Sequence, residues 1–265
     1  MRNSAGLGGN RSPQTPSAPT RGVLVAVAHG SADPRASATI AELAALARER
    51  SPGLDLRTAF LGHAPPSLPQ VLSTIEADRE VTVLPLLLTA AHHSKADIPR
   101  MLARTPLGSR RARASYGGAT LGPHPLLLDA LERRLAEADP GADPAGTAVV
   151  LAAAGSSDPE ANATIARMAA QWQARTGWFA VRPAYASAAE PSPAAAVTGL
   201  LRDGAPRVVV ATYLLAPGLF ADRIRHASLA AGAAAVSPAL GACAEVADVM
   251  LGRFAQTAST GRTAA

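Results

Sequence analysis

Five of the six histidines stand in the first 124 residues, and three of these lie behind apolar runs. His29 closes "VLVAVAH" (23–29), and the pair His92 and His93 follows "VTVLPLLLTAA" (81–91). Neutral imidazole binds divalent iron, cobalt, nickel or zinc and accepts protons near neutral pH. Two such rings at one crevice could hold a metal ion, or take protons from a substrate that must lose them. His63, in "FLGHAPP" (60–66), either joins that site or faces solvent. His92 alternates with His93 along the chain, so it supports the site or points away from it. His124, in "LGPHP", reads as local structure near a helix start, and His226 as a surface helix residue.

These side chains need elements to carry them. Val23–Ala28, Leu56–Leu61, Val81–Leu88 and Ala112–Tyr116 are short and mostly apolar, as parallel strands covered on both faces should be. Helical spacing fills the intervals at Arg35–Arg50, Leu68–Ala77, Lys95–Arg104 and Pro125–Ala138. Such alternation predicts an α/β fold with a doubly wound parallel sheet. In open sheets of this kind, ligands bind beyond the carboxyl ends of the strands, where strand order reverses. His29 after the first strand and His93 after the third would share that crevice if the two strands are neighbours, about 4.8 Å apart.

The chain then repeats itself. "VLVAVAHGSADPRASATIAELA" (23–44) aligns without a gap to "AVVLAAAGSSDPEANATIARMA" (148–169), and "FLGHAPPS" (60–67) to "YASAAEPS" (185–192), at one offset of 125 residues. Two homologous halves facing each other across a cleft are expected. The predicted organisation is a disordered tail over 1–21, a first half over 22–138, a linker over 139–146, a degenerate second half over 147–254 and a disordered tail over 255–265. Features common to both halves belong to the scaffold: Gly30 matches Gly155 in a tight turn, and Asp33–Pro34 matches Asp158–Pro159 as a helix cap followed by proline. The histidines are not common. Ala154 replaces His29, Ala188 replaces His63, Cys243 replaces His124 and Leu219 replaces His93. The asymmetry assigns the chemistry to the first half and makes the second a scaffold, lid or substrate wall.

Composition narrows the function class. The formal charge is +5, but the arginines are spread along the chain and aromatics are only 3%. That disfavours a nucleic-acid groove, which clusters basic residues with stacking aromatics. A single cysteine, Cys243, rules out an internal disulfide and any Cys-x-x-Cys metal site. Neither a secretory leader nor a transmembrane run is legible, so a cytoplasmic protein without membrane attachment is expected.

The motifs "AHGSADPRA", "FLGHAPPSL", "PLLLTAAHHSKADIP" and "LGPHPLL", with "AEPS" and "YLLAPGLFADRI" in the second half, resemble the CbiX/SirB-type sirohydrochlorin chelatases, a group of metal-inserting tetrapyrrole chelatases. The resemblance implies insertion of a divalent metal into sirohydrochlorin, Fe2+ toward sirohaem or Co2+ toward cobalamin, with Ni2+ a further candidate. The metal is then a substrate, and no prosthetic group is implied. The family's two site histidines fall on His29 and His93, as metal ligands and proton acceptors. Family members often carry a glutamate where this chain has "LGHAPP"; His63 is the candidate replacement, with His92 a second helper. The carboxylates of the tetrapyrrole call for cationic partners, and Lys95, Arg100, Arg104 and Arg35 are candidates. A monomer would suffice, since one chain provides both walls. A metal carrier using the same histidines is the competing reading; it would bind metal without a macrocycle pocket.

Overall fold

The computed structural model describes residues 22–76, 78–90, 97–104, 114–116 and 118–263. In chain order they form β1 (Gly22–Ala28), α1 (Pro34–Arg50), β2 (Asp55–Phe60), α2 (Leu68–Ser73), β3 (Glu80–Pro85), α3 (Ile98–Arg104), β4 (Ala114–Ser115) and α4 (Pro125–Ala138). A short 3-10 turn (Pro144–Gly146) leads to β5 (Thr147–Ala153), α5 (Pro159–Arg175), β6 (Ala180–Tyr185), α6 (Pro193–Arg202), β7 (Arg207–Tyr213), α7 (Leu219–Ala230), β8 (Ala235–Val236) and α8 (Ala244–Thr263). Two four-stranded parallel sheets result, with orders β2-β1-β3-β4 and β6-β5-β7-β8. In each, the first strand lies between the second and third, so strand order reverses beside it. The expected neighbourhood of the first and third strands is found, with Val27 opposite Pro85.

Alternation within β1 shows why every residue of its run Val23–Ala28 is apolar. Leu24, Ala26 and Ala28 face one core cluster, while Val23, Val25 and Val27 face another together with Leu68, Leu72 and Ile75. Both faces are covered, so no position on the strand favours a polar residue. β5 does the same with Val149 and Leu151 on one side and Ala148, Val150 and Ala152 on the other.

The two halves exchange helices. α4, which follows the first sheet in sequence, packs on β7 and β8, and α8 packs on β3, β4 and α1. Leu127, Leu128 and Leu131 of α4 and Val246, Ala247 and Met250 of α8 belong to a single core cluster that contains inner-face residues of both sheets. Ion pairs reinforce the arrangement: Arg133 reaches Glu245 at 3.0 Å, and Arg50 reaches Asp248 at 2.6 Å.

Several element limits differ from those the sequence suggests. The third strand stops at Pro85, three residues early: Leu86 still donates to the Val27 carbonyl at 2.7 Å and is buried, while Leu87 and Leu88 are only partly buried. α2 ends at Ser73, four residues early, where the Ser73 and Thr74 hydroxyls donate to the carbonyls of Gln70 and Val71, both at 2.7 Å. Side-chain bonds of this kind compete with helix continuation. Residues 255–263, read from the sequence as part of a tail, continue α8 to Thr263, with Thr257 buried and Phe254 buried just before them. The N-terminal tail, residues 1–21, lies outside the described residues.

Candidate active site

β1 delivers His29 at its carboxyl end, beyond the last buried residue, Ala28. The ladder to β2 continues past the strands: Leu61 N–H donates to the Ala28 carbonyl at 3.0 Å and Gly62 N–H to the His29 carbonyl at 3.1 Å. The two turns are pressed together at Gly30, which has φ +87°; a Cβ there would lie 1.7 Å from the Gly62 carbonyl oxygen. Glycine is therefore required on both conformational and steric grounds. The approach brings two imidazoles together. His29 and His63 are exposed and lie with ring planes 10° apart and centroids 6.2 Å apart.

His29 Nδ1 stands 3.1 Å from the Gly30 carbonyl oxygen. A carbonyl can only accept, so this bond requires the proton on Nδ1 and puts the lone pair of the neutral ring on Nε2. A metal–imidazole bond is roughly 2.0–2.1 Å long. Among the described residues no group of three or more His, Cys, Asp or Glu side chains gathers to hold a metal.

The second half provides a comparison within the same chain. Ser187 N–H donates to the Ala154 carbonyl at 2.9 Å, and a Cβ on Gly155 would meet the Ser187 carbonyl oxygen at 1.9 Å. His63 and Ala188 even share the left-handed backbone, at φ 61° and 58°. The same turn pair is thus built without imidazoles. The fold of the turn pair therefore does not require His29 or His63.

The neighbouring charged residues are arranged as follows. Asp33 caps α1 by accepting from Arg35 N–H at 2.9 Å, as Asp158 caps α5. The Arg35 guanidinium binds Asp33 at 2.6 Å and reaches across to Asp222 of α7 at 2.7 Å. These bonds hold the Asp33 carboxyl below its usual range and the Arg35 guanidinium above its own. A substrate carboxylate at Arg35 would have to compete with both. Arg100 is exposed on α3. Arg104 ends that helix, with its side chain outside the described atoms, and His92, His93 and Lys95 lie outside the described residues altogether. His124 is a helix cap: its Nδ1 accepts from Leu126 N–H at 3.2 Å, and burial, aided by Arg253, lowers its pKa. His226 is exposed on α7, with Nδ1 2.7 Å from the Asp222 carbonyl oxygen.

A groove of about 450 Å³ begins at Ala90, next to the segment that bears His92 and His93, and takes lining from both halves: Thr120 and Gly122 from the first, Glu160, Thr164 and Arg253 from the second. The larger groove, about 540 Å³ between α7 and residues 234–239, contains no histidine. Sequence reasoning missed the Arg35–Asp222 tie and the exposed apolar pair Leu219 and Phe220 at the start of α7. The only signal for the pair was two large apolar residues following Gly218 where a helix begins.

Comparisons with known proteins agree with this architecture. The family model described as CbiX matches residues 23–138 and 148–257. A sirohydrochlorin cobaltochelatase of Priestia megaterium is 28% identical over 204 residues, covering 76% of this chain and 66% of the relative. A sirohydrochlorin ferrochelatase of Bacillus subtilis (strain 168) is 29% identical over 146 residues, covering 55% of each. The matched region thus spans less than two thirds of either relative. Among solved structures, SirB from Bacillus subtilis with Fe3+ superposes with a TM-score of 0.77 at 24% identity, covering 92% of this chain and 98% of that one. At that identity the likeness concerns the fold.

Proposed function

Since the chain belongs to the CbiX family, we propose that it is a metal chelatase that inserts a divalent metal into sirohydrochlorin, with Fe2+ or Co2+ as the metal substrate. The observation that carries the reading is the pair His29 and His63, added beyond the carboxyl ends of the neighbouring strands β1 and β2 to a turn pair that the second half builds without them. Insertion exchanges two pyrrole protons for the metal as the metal sheds water. His29, with its lone pair on Nε2, is suited to hold the incoming ion or to accept a pyrrole proton. His93, in the segment after Ala90, is the proposed second ligand, and His63 the proposed helper that receives the second proton. Among the described residues no helix is long and apolar enough to cross a membrane.

The test follows the visible spectrum of sirohydrochlorin, without oxygen, in the presence of purified protein and Co2+ or Fe2+. Controls are a sample without protein and the variants His29→Ala and His93→Ala. Faster metallation with the intact protein, lost in both variants, is the expected result. Metal binding without any acceleration over the control would overturn the chelatase and leave the carrier.

A further inference from the structure

We propose that Leu219 and Phe220 form an apolar shelf on the second half against which one face of the tetrapyrrole macrocycle rests, with Arg223 at its rim. The inference builds on the chelatase reading and names the part of the second half that meets the substrate.

Large apolar side chains are seldom left in water without a neighbour to cover them at some stage. Leu219 is 70% exposed and Phe220 40% exposed, consecutive at the first turn of α7. Their location ties them to the site. Gly218, just before them, has φ +148°, and a Cβ built on it would lie 3.9 Å from Ser31 Oγ and 4.0 Å from Asp33 Oδ2, in the turn that begins at His29. Asp222, in the same first turn, is held 2.7 Å from Arg35 of α1. The start of α7 is therefore docked onto the β1–α1 turn that follows His29, and the two apolar side chains next to that joint are open to solvent.

Three observations select a flat, anionic-rimmed, largely apolar molecule as the occupant. The Arg223 guanidinium lies 5.6 Å from the centre of the Phe220 ring, so a cation borders the shelf where carboxylates of a macrocycle would reach it. In the alignment of the two halves Leu219 takes the position of His93, so the second half has hydrocarbon at the position where the sequence of the first has imidazole. A protein partner is a poor fit, because two side chains fall far short of the roughly 800 Å² per partner of a stable interface.

The experiment measures binding of metal-free sirohydrochlorin to the metal-free full-length protein, by quenching of its fluorescence, for the parent, the double variant Leu219→Ser with Phe220→Ser, and Leu229→Ser. Leu229 is also exposed, but at the far end of the same helix. Thermal unfolding verifies that each variant is folded. The expected result is a Kd raised about tenfold or more in the double variant and unchanged in Leu229→Ser. A Kd within twofold of the parent, an equal loss in Leu229→Ser, or no binding by the parent overturns the shelf. Metal insertion is assayed separately. A parent that binds the macrocycle through the shelf but does not accelerate metallation sinks the chelatase reading and leaves the shelf standing.

Discussion

The imidazole rings of His29 and His63 lie 6.2 Å apart with planes 10° from parallel, although 33 residues separate them in the chain. The contact depends on two turns held together by the Gly62 N–H bond to the His29 carbonyl. If both rings take part in metal exchange, their removal should have unequal effects. Replacing His29 by alanine should lower the insertion rate by about 100-fold or more, the scale of a lost proton acceptor. Replacing His63 should lower it by roughly tenfold. Both residues are exposed, so thermal unfolding should stay close to the parent in each case. Ala188, at φ 58°, shows that this backbone accommodates alanine at the position of His63. An unchanged insertion rate in His63→Ala would remove that residue from the mechanism.

Gly30→Ala tests the frame that creates the contact. The new methyl would sit 1.7 Å from the Gly62 carbonyl oxygen, on a residue with φ +87°. Backbone must move, at a cost of about 3 kcal/mol, which lowers Tm by roughly 6–12 °C in a protein of this size. Insertion activity should fall even at temperatures where the variant remains folded, because the turns carrying both histidines separate. Calorimetry and activity measured well below Tm separate the two effects.

Glu245 gives the structure a pH-dependent joint. Its hydrogen bonds from Arg133, with burial opposing, hold the carboxyl at about 2, below its ordinary value of 4.5. A folded pKa below the unfolded one stabilises above the unfolded value and is lost as pH falls through the folded value. Glu245→Gln should therefore cost about 1–2 kcal/mol at pH 7, given the partial exposure of the pair. The difference in Tm from the parent should shrink between about pH 5 and pH 2. A difference that stays constant over that range would show that the α4–α8 contact does not rely on the charge.

The Arg35 bridge to Asp222 should contribute little to stability. Its side chain is 53% exposed and that of Asp222 46%. A double-mutant cycle with Arg35→Gln and Asp222→Asn is expected to give a coupling energy of about 0–1 kcal/mol, vanishing at high salt. A coupling that survives 1 M salt would mean that this joint, and not the shared core alone, keeps α7 on the β1–α1 turn.

Much of the architecture follows from local pattern. The apolar runs of β1 and β5, the Asp-Pro caps of α1 and α5, and the recurrence at an offset of 125 residues are properties of short stretches, and their physics is equally local: strand pleat, orphan amides at a helix start, glycine at a positive φ. The same reasoning singled out His29 and His93, with His63 as a possible helper, because the second half lacks all three; His93 lies outside the described residues. It extended the third strand to Leu88, because the apolar residues Leu86, Leu87 and Leu88 of the following loop read like those of a strand. It read a tail from residue 255, since that polar-looking segment gave no sign that Thr257 would be buried.

Only the tertiary structure decided which surfaces meet. The exchange of α4 and α8 between the sheets, the stacking of His29 on His63, the pairing of Arg35 with Asp222 and the approach of Gly218 to Ser31 and Asp33 all join residues far apart in sequence. Hydrophobic burial is non-directional: an apolar helix face specifies that it must be covered, and leaves open by what. The three-dimensional packing of two similar halves selects the partner, and so turns separate motifs into one site.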